Sequence, residues 1–140
     1  MPPPYGKPHT ANEIERKKLK LHLANLGDTK IFTAHGADHV MVNGERYDAS
    51  IVVSADEVRS EWRVSSFDIL SEADFTYFLD LQPDVLLLGT GIQQRFPHPR
   101  LYRTLTDARI GVECMTTPAA CRTYNILVAE GRKVVAAILL

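Results

Sequence analysis

Between Pro83 and Gly91 the chain reads Asp-Val-Leu-Leu-Leu-Gly-Thr-Gly, with four apolar residues running unbroken from Val85 to Leu88 into a glycine turn. A short apolar run bounded by proline and glycine fits a strand buried on both faces, because a strand with one wet face would alternate. Helical patterns lie on either side. Upstream, Ser71 with Asp74 three residues on is a capping-box start, Phe75, Phe78 and Leu79 form an inward stripe, and Pro83 closes the helix. Downstream, Pro99 opens a helix carrying Leu101, Leu105 and Ala108 on one face, and Ile110 to Met115 is the next strand. Strand, crossover helix and strand make a right-handed parallel pair, so the run is the middle of an α/β layer structure.

A third helix follows, with Thr117 expected as its N-cap and Pro118 in its first turn. Ala120, Tyr124, Leu127 and Val128 face inward and Gly131 ends it. Val134 to Leu140 is apolar nearly throughout, which predicts a central or well-covered strand. The first half reads differently. Ile31 to Ala34 and His39 to Val42 are short strands, Asn43-Gly44 is a hairpin turn, and Glu45 to Tyr47 and Ala49 to Ser54 are strands again. This predicts an antiparallel β unit built from local pairings. Trp62 and Val64 form a further short strand or an anchored loop. Met1 to Ala11 is expected to be a disordered proline-rich lead, and residues 12–140 a single α/β domain. Residues 12–26 mix a helical and an alternating pattern, and the basic cluster Arg16 to Lys20 reads as a solvated face.

Whole-chain properties narrow the function. At 140 residues one core needs no metal or disulfide staple. A net charge of −1 supplies no field for nucleic acid, and no apolar run is long enough to span a bilayer. The two cysteines, Cys114 and Cys121, read as buried free thiols in a reducing compartment, and their spacing is not that of a metal site. His35 and His39 sit on turn and strand, which makes a shared metal improbable, and no cofactor motif is present. Gly89-Thr90-Gly91 fails as a dinucleotide fingerprint because position 94 is Gln94, while Pro97 and Pro99 interrupt the following helix.

One candidate site remains. The turns Gly89-Thr90-Gly91 and Met115-Thr116-Thr117 leave neighbouring parallel strands at one rim, where crevices collect in open α/β sheets. The helix after Thr117 begins without a carboxylate, so its amides and Arg122 are expected to attract a small anion, with Asn125 nearby. Gly89, Thr90, Gly91, Thr116, Thr117, Arg122 and Asn125 are therefore the candidate ligand-binding residues. The favoured account of these residues is a capped helix whose small residues merely allow tight packing, with the anion pocket as its competitor. Glu113, in a mostly apolar strand, is expected to pair with Arg109, Arg122 or a backbone donor. No catalytic constellation emerges, and an enzyme is not expected.

Read in order, Asn43-Gly44-Glu45, Pro83 to Gly91, Gly111 to Thr116, Ala120 to Asn125 and Glu130 to Ala137 resemble one family over residues 20–140. It is the small single-domain family, common in bacteria, that includes the mitochondrial complex I assembly factor three. The resemblance implies a three-layer α/β domain with a central mixed sheet, a β-rich N-terminal half and no established enzyme activity. It also implies protein partners, since mitochondrial members bind other proteins during assembly of the respiratory NADH dehydrogenase. No Arg-rich amphipathic lead is present, so a cytoplasmic, bacterial-type protein is expected. The expectation is a non-enzymatic protein-binding or assembly module. The alternatives are a small-molecule or anion-binding protein, or a domain that chiefly forms homo-oligomers.

Overall fold

The computed structural model describes residues 28–140. The expectations for the proline-rich lead and for residues 12–26 lie outside the described residues. Among the described residues, eight strands form two sheets. Strands β1 (Phe32–His35), β2 (Val40–Val42) and β3 (Glu45–Tyr47) make a small antiparallel sheet in that order. Strands β4 (Ile51–Val53), β5 (Val58–Arg59), β6 (Val85–Gly89), β7 (Gly111–Met115) and β8 (Val134–Ile138) make the main sheet, in the order β5-β4-β8-β6-β7.

The apolar run is the strand its composition predicts. All of β6 is buried, held parallel between β7 and β8. Strand β8, also buried throughout, sits between β6 and β4. Here the expectation of purely local pairing in the first half needs correction. β1 to β3 do pair locally, but β4 leaves them and runs antiparallel to β8, Val52 opposite Ala137. Its three residues are all buried, which a hairpin strand with one wet face would not allow.

Two cores flank the main sheet. On one face the helix α3 (Thr117–Ala129) and the small sheet enclose Phe32, Val40, Ile51, Leu87, Tyr124 and Ile138. On the other, α1 (Glu72–Thr76) and α2 (Arg103–Asp107) cover Val52, Trp62, Phe75, Phe78, Leu86 and Leu105. Trp62 belongs to an anchored loop, packed on Phe78 with its indole donating to Asp74 O at 3.1 Å. This is a three-layer α/β domain with a mixed central sheet.

Local signals translate into local structure. Asn43 and Gly44 both have positive φ, 49° and 84°, as a type I′ turn between β2 and β3 requires. Ser71 N donates to Asp74 Oδ2 at 2.8 Å at the start of α1. Pro99 opens a 3₁₀ turn over Pro99–Tyr102, and α2 follows only afterwards. Ala108 lies past the end of α2 and is exposed, so only Leu105 of that stripe is fully buried.

Candidate functional site

The two glycine- and threonine-containing turns do meet at one rim, because β6 and β7 are adjacent and parallel, with Gly89 opposite Met115. What they build is a closed joint. Thr117 N donates to Gly91 O at 2.8 Å, and Gly91 N donates back to Thr117 Oγ1 at 3.0 Å. The helix N-cap is Thr116 rather than Thr117: Thr116 is extended, and its Oγ1 accepts from Ala119 N at 3.4 Å. Ala120 N donates to Thr116 O at 2.8 Å, and Pro118 has no N–H. The expectation of bare amides at this helix start is therefore corrected. Its opening donors are consumed by the protein's own turn.

Gly89 explains the closeness of the layers. A Cβ there would lie 2.9 Å from Ile138 Cδ1 and 3.3 Å from both Ala120 Cβ and Thr117 Oγ1. Glycine lets α3 sit down on the sheet at this point.

Arg122 and Asn125 are placed elsewhere. They line a shallow cavity of about 410 Å³ against β1, together with Cys121 and the residues Phe32–His35. Asn125 accepts from Phe32 N at 2.9 Å through Oδ1 and donates to Phe32 O at 2.8 Å through Nδ2. Of the seven candidates, Gly89, Thr90, Gly91, Thr116 and Thr117 come together at the rim, and Arg122 and Asn125 do not. Glu113 is also corrected: β7 is an edge strand, and Glu113 is exposed on it rather than embedded among apolar neighbours.

The loop leaving β6 carries what sequence reasoning missed. Thr90, nearly buried, donates through Oγ1 to Gln93 O at 2.6 Å and accepts there from Arg95 N at 3.2 Å. Gln94 Nε2 donates to Cys114 O at 3.0 Å. Arg95 Nη2 reaches Asp68 Oδ1 at 2.7 Å, and the guanidinium lies 4.1 Å from the Phe67 ring centroid. On this pinned loop Ile92 is 80% exposed and Phe96 71% exposed, and Ile69 beside Asp68 is 57% exposed. The only sequence signal was an apolar pair inside a polar loop, a pattern with neither strand nor helix period.

The chemistry of the remaining polar groups is quiet. Burial pushes the Cys114 thiol up to about 11 and Cys121 up to about 12, which keeps both protonated and unreactive at neutral pH. Cys114 sits with the α1/α2 core and Cys121 with the α3 core, on opposite sides of the sheet. Burial likewise raises Tyr124, whose hydroxyl donates to Lys30 O at 2.8 Å. No group of His, Cys, Asp and Glu among the described residues could hold a metal ion. No helix among them is long and apolar enough to cross a membrane.

Residues 32–139 match the family described as "Protein of unknown function (DUF498/DUF598)". The chain is 33% identical over 101 residues to NADH dehydrogenase [ubiquinone] 1 alpha subcomplex assembly factor 3 of Bos taurus, covering 71% of this chain and 54% of that protein. It is 27% identical over 95 residues to the 13 kDa major membrane protein of Francisella tularensis, covering 67% of this chain and 77% of that one. A crystal structure of a Bordetella parapertussis protein superposes with a TM-score of 0.75 at 39% identity, covering 79% of this chain and 95% of that chain. The chain spans about half the length of the assembly factors it matches. With the family match running through both sheets and the three α-helices of the described residues, the chain belongs to the DUF498/DUF598 family.

Proposed function

We propose that this chain is a non-enzymatic protein-binding module that works in assembly of a respiratory NADH dehydrogenase, as its relatives' name describes for them. The observation that carries the reading is the display of Ile92 and Phe96 on a loop fixed by Thr90 and Arg95. Holding a binding loop in one conformation before contact removes part of the ordering cost of association, and exposed aromatic and aliphatic anchors supply its contact energy. The family relation supplies the class of partner.

The test is affinity purification of the tagged full chain from its native host after crosslinking in the cell, beside the double variant Ile92→Ser/Phe96→Ser. Wild type should recover NADH dehydrogenase subunits or their assembly proteins, and the double variant should not. Its melting temperature should match wild type, since exposed substitutions change stability by no more than about 0.5 kcal/mol. Recovery of the same proteins by the variant, or of no respiratory subunit by either chain, would overturn the reading.

A further inference from the structure

The main sheet ends at β7, and the way it ends is unlike the other sheet borders of the described residues. The opposite border, β5, is only two residues long. In the small sheet, β1 carries a bulge between Phe32 and Ala34 and is capped by the Asn125 carboxamide, while β3 carries Glu45 and Arg46. Short length, bulges, caps and charge are the usual protections of a sheet edge. β7 has five residues, Gly-Val-Glu-Cys-Met, with no proline and no bulge against β6; its protections are the single charge of Glu113 and the Gln94 carboxamide on Cys114 O, which leave the remaining outward peptide groups uncovered.

The hydrogen-bond pattern shows which peptide groups this edge offers. Gly111 N donates to Asp84 O at 3.1 Å, and Thr90 N donates to Met115 O at 2.9 Å, so Gly111, Glu113 and Met115 turn toward β6. Parallel pairing alternates, so Val112 and Cys114 turn their peptide groups outward. Of these, Cys114 O is occupied only by the Gln94 side chain. Among the described residues the N–H and C=O of Val112 and the N–H of Cys114 meet no partner. Ile92 and Phe96 lie on the same loop as Gln94, next to this edge.

Side-chain charge selects the occupant. Val112 and Cys114 pack toward the apolar α1/α2 layer, while Glu113 points to the other side of the strand and is exposed. A second copy pairing antiparallel over all of β7 would set Glu113 opposite its own counterpart, which is unfavourable. A foreign strand with a cation opposite Glu113 and apolar residues opposite Val112 and Cys114 complements both faces.

We propose that β7 is a strand-addition site: an extended segment of a partner protein, carrying Lys or Arg between two apolar residues, pairs with Val112 and Cys114 and displaces Gln94. This rests on the protein-binding reading above and specifies how the partner is held. The backbone supplies the hydrogen bonds, and Glu113 supplies the choice between partners.

The probe is the blocked pentapeptide Thr-Val-Lys-Val-Thr, with Thr-Val-Glu-Val-Thr as control, added to the full chain and followed by amide hydrogen exchange and NMR shifts. The lysine peptide should slow exchange at the Val112 and Cys114 amides and bind roughly tenfold more tightly than the glutamate peptide. Glu113→Lys, an exposed substitution that leaves the core untouched, should reverse that order. No protection at either amide with either peptide overturns the strand inference. If Ile92→Ser/Phe96→Ser still abolishes partner capture in that case, the protein-binding reading stands without it. A wild-type dimer in light scattering that Val112→Pro dissolves would also overturn it, in favour of a second copy.

Discussion

Asn125 pairs with the peptide group of Phe32 as a neighbouring strand would, accepting from its N–H at 2.9 Å and donating to its C=O at 2.8 Å. One side chain of α3 thereby fastens the small sheet to the helix, and the Phe32 ring follows, meeting Tyr124 edge-on at a centroid distance of 5.2 Å. Asn125→Ala leaves both Phe32 backbone groups without partners in a half-buried place. Urea unfolding should show a loss of about 2 kcal/mol. Asn125→Asp, which keeps the acceptor but loses the donor, should lose a comparable amount.

The thiols contribute to the pH dependence of the fold on its alkaline side. Burial is the first cause of both shifts, raising Cys114 to about 11 and Cys121 to about 12 from an ordinary value of 9.0. A pKa raised by folding means the native state holds its proton longer than the unfolded chain does. The associated stability is complete below pH 9 and drains away as pH climbs toward 12. Denaturation midpoints measured across that range should fall, and less steeply in Cys121→Ala. Iodoacetamide should modify neither thiol at appreciable rate in the native protein at neutral pH, and no Cys114–Cys121 disulfide should form under oxidation.

Gly89 and Gly91 are needed for different reasons, and double mutants separate them. Gly89→Ala drives a methyl against Ile138 Cδ1, Ala120 Cβ and Thr117 Oγ1 and should cost about 1–3 kcal/mol. Adding Ile138→Val removes the nearest of those atoms and should recover part of the loss. Gly91 has open space but a φ of 91°, so Gly91→Ala should be destabilised by about 1–3 kcal/mol of backbone strain that Ile138→Val leaves unchanged.

Thr90→Val keeps the volume of a nearly buried side chain and deletes the hydroxyl that joins Gln93 O to Arg95 N. Stability should fall by about 1–2 kcal/mol. Amide exchange at Arg95 should speed up far more than exchange in β6. If the two changed together, the loop would not be held by Thr90.

Much of this architecture was legible because local chemistry decided it. Val85 to Leu88 could be buried on both faces only in the middle of a sheet, Asn43-Gly44 could close only a primed turn, and Gly131, at φ 80°, could only end a helix. Pairings between distant segments were not legible. Nothing in Ile51–Val53 names Val134–Ile138 as its neighbour, so the antiparallel β4–β8 contact appeared only in three dimensions. The rim failed for a related reason. Pro118-Ala119-Ala120 carries no carboxylate, and that absence cannot reveal that Gly91 and Thr117 already satisfy one another. Glu113 was misjudged because its strand looked interior by composition while its position in the strand order made it an edge.

The strand order has a kinetic meaning as well. β4 and β6 touch only through β8, which comes after every other described strand in the chain. Until that segment threads between them, the β4–β5 and β6–β7 pairs share no ladder, and β4 and β6 each wait with an unsatisfied flank. Folding should behave like fastening a zip whose slider is attached last: slow to begin, dependent on long-range encounter, and close to all-or-none once it starts.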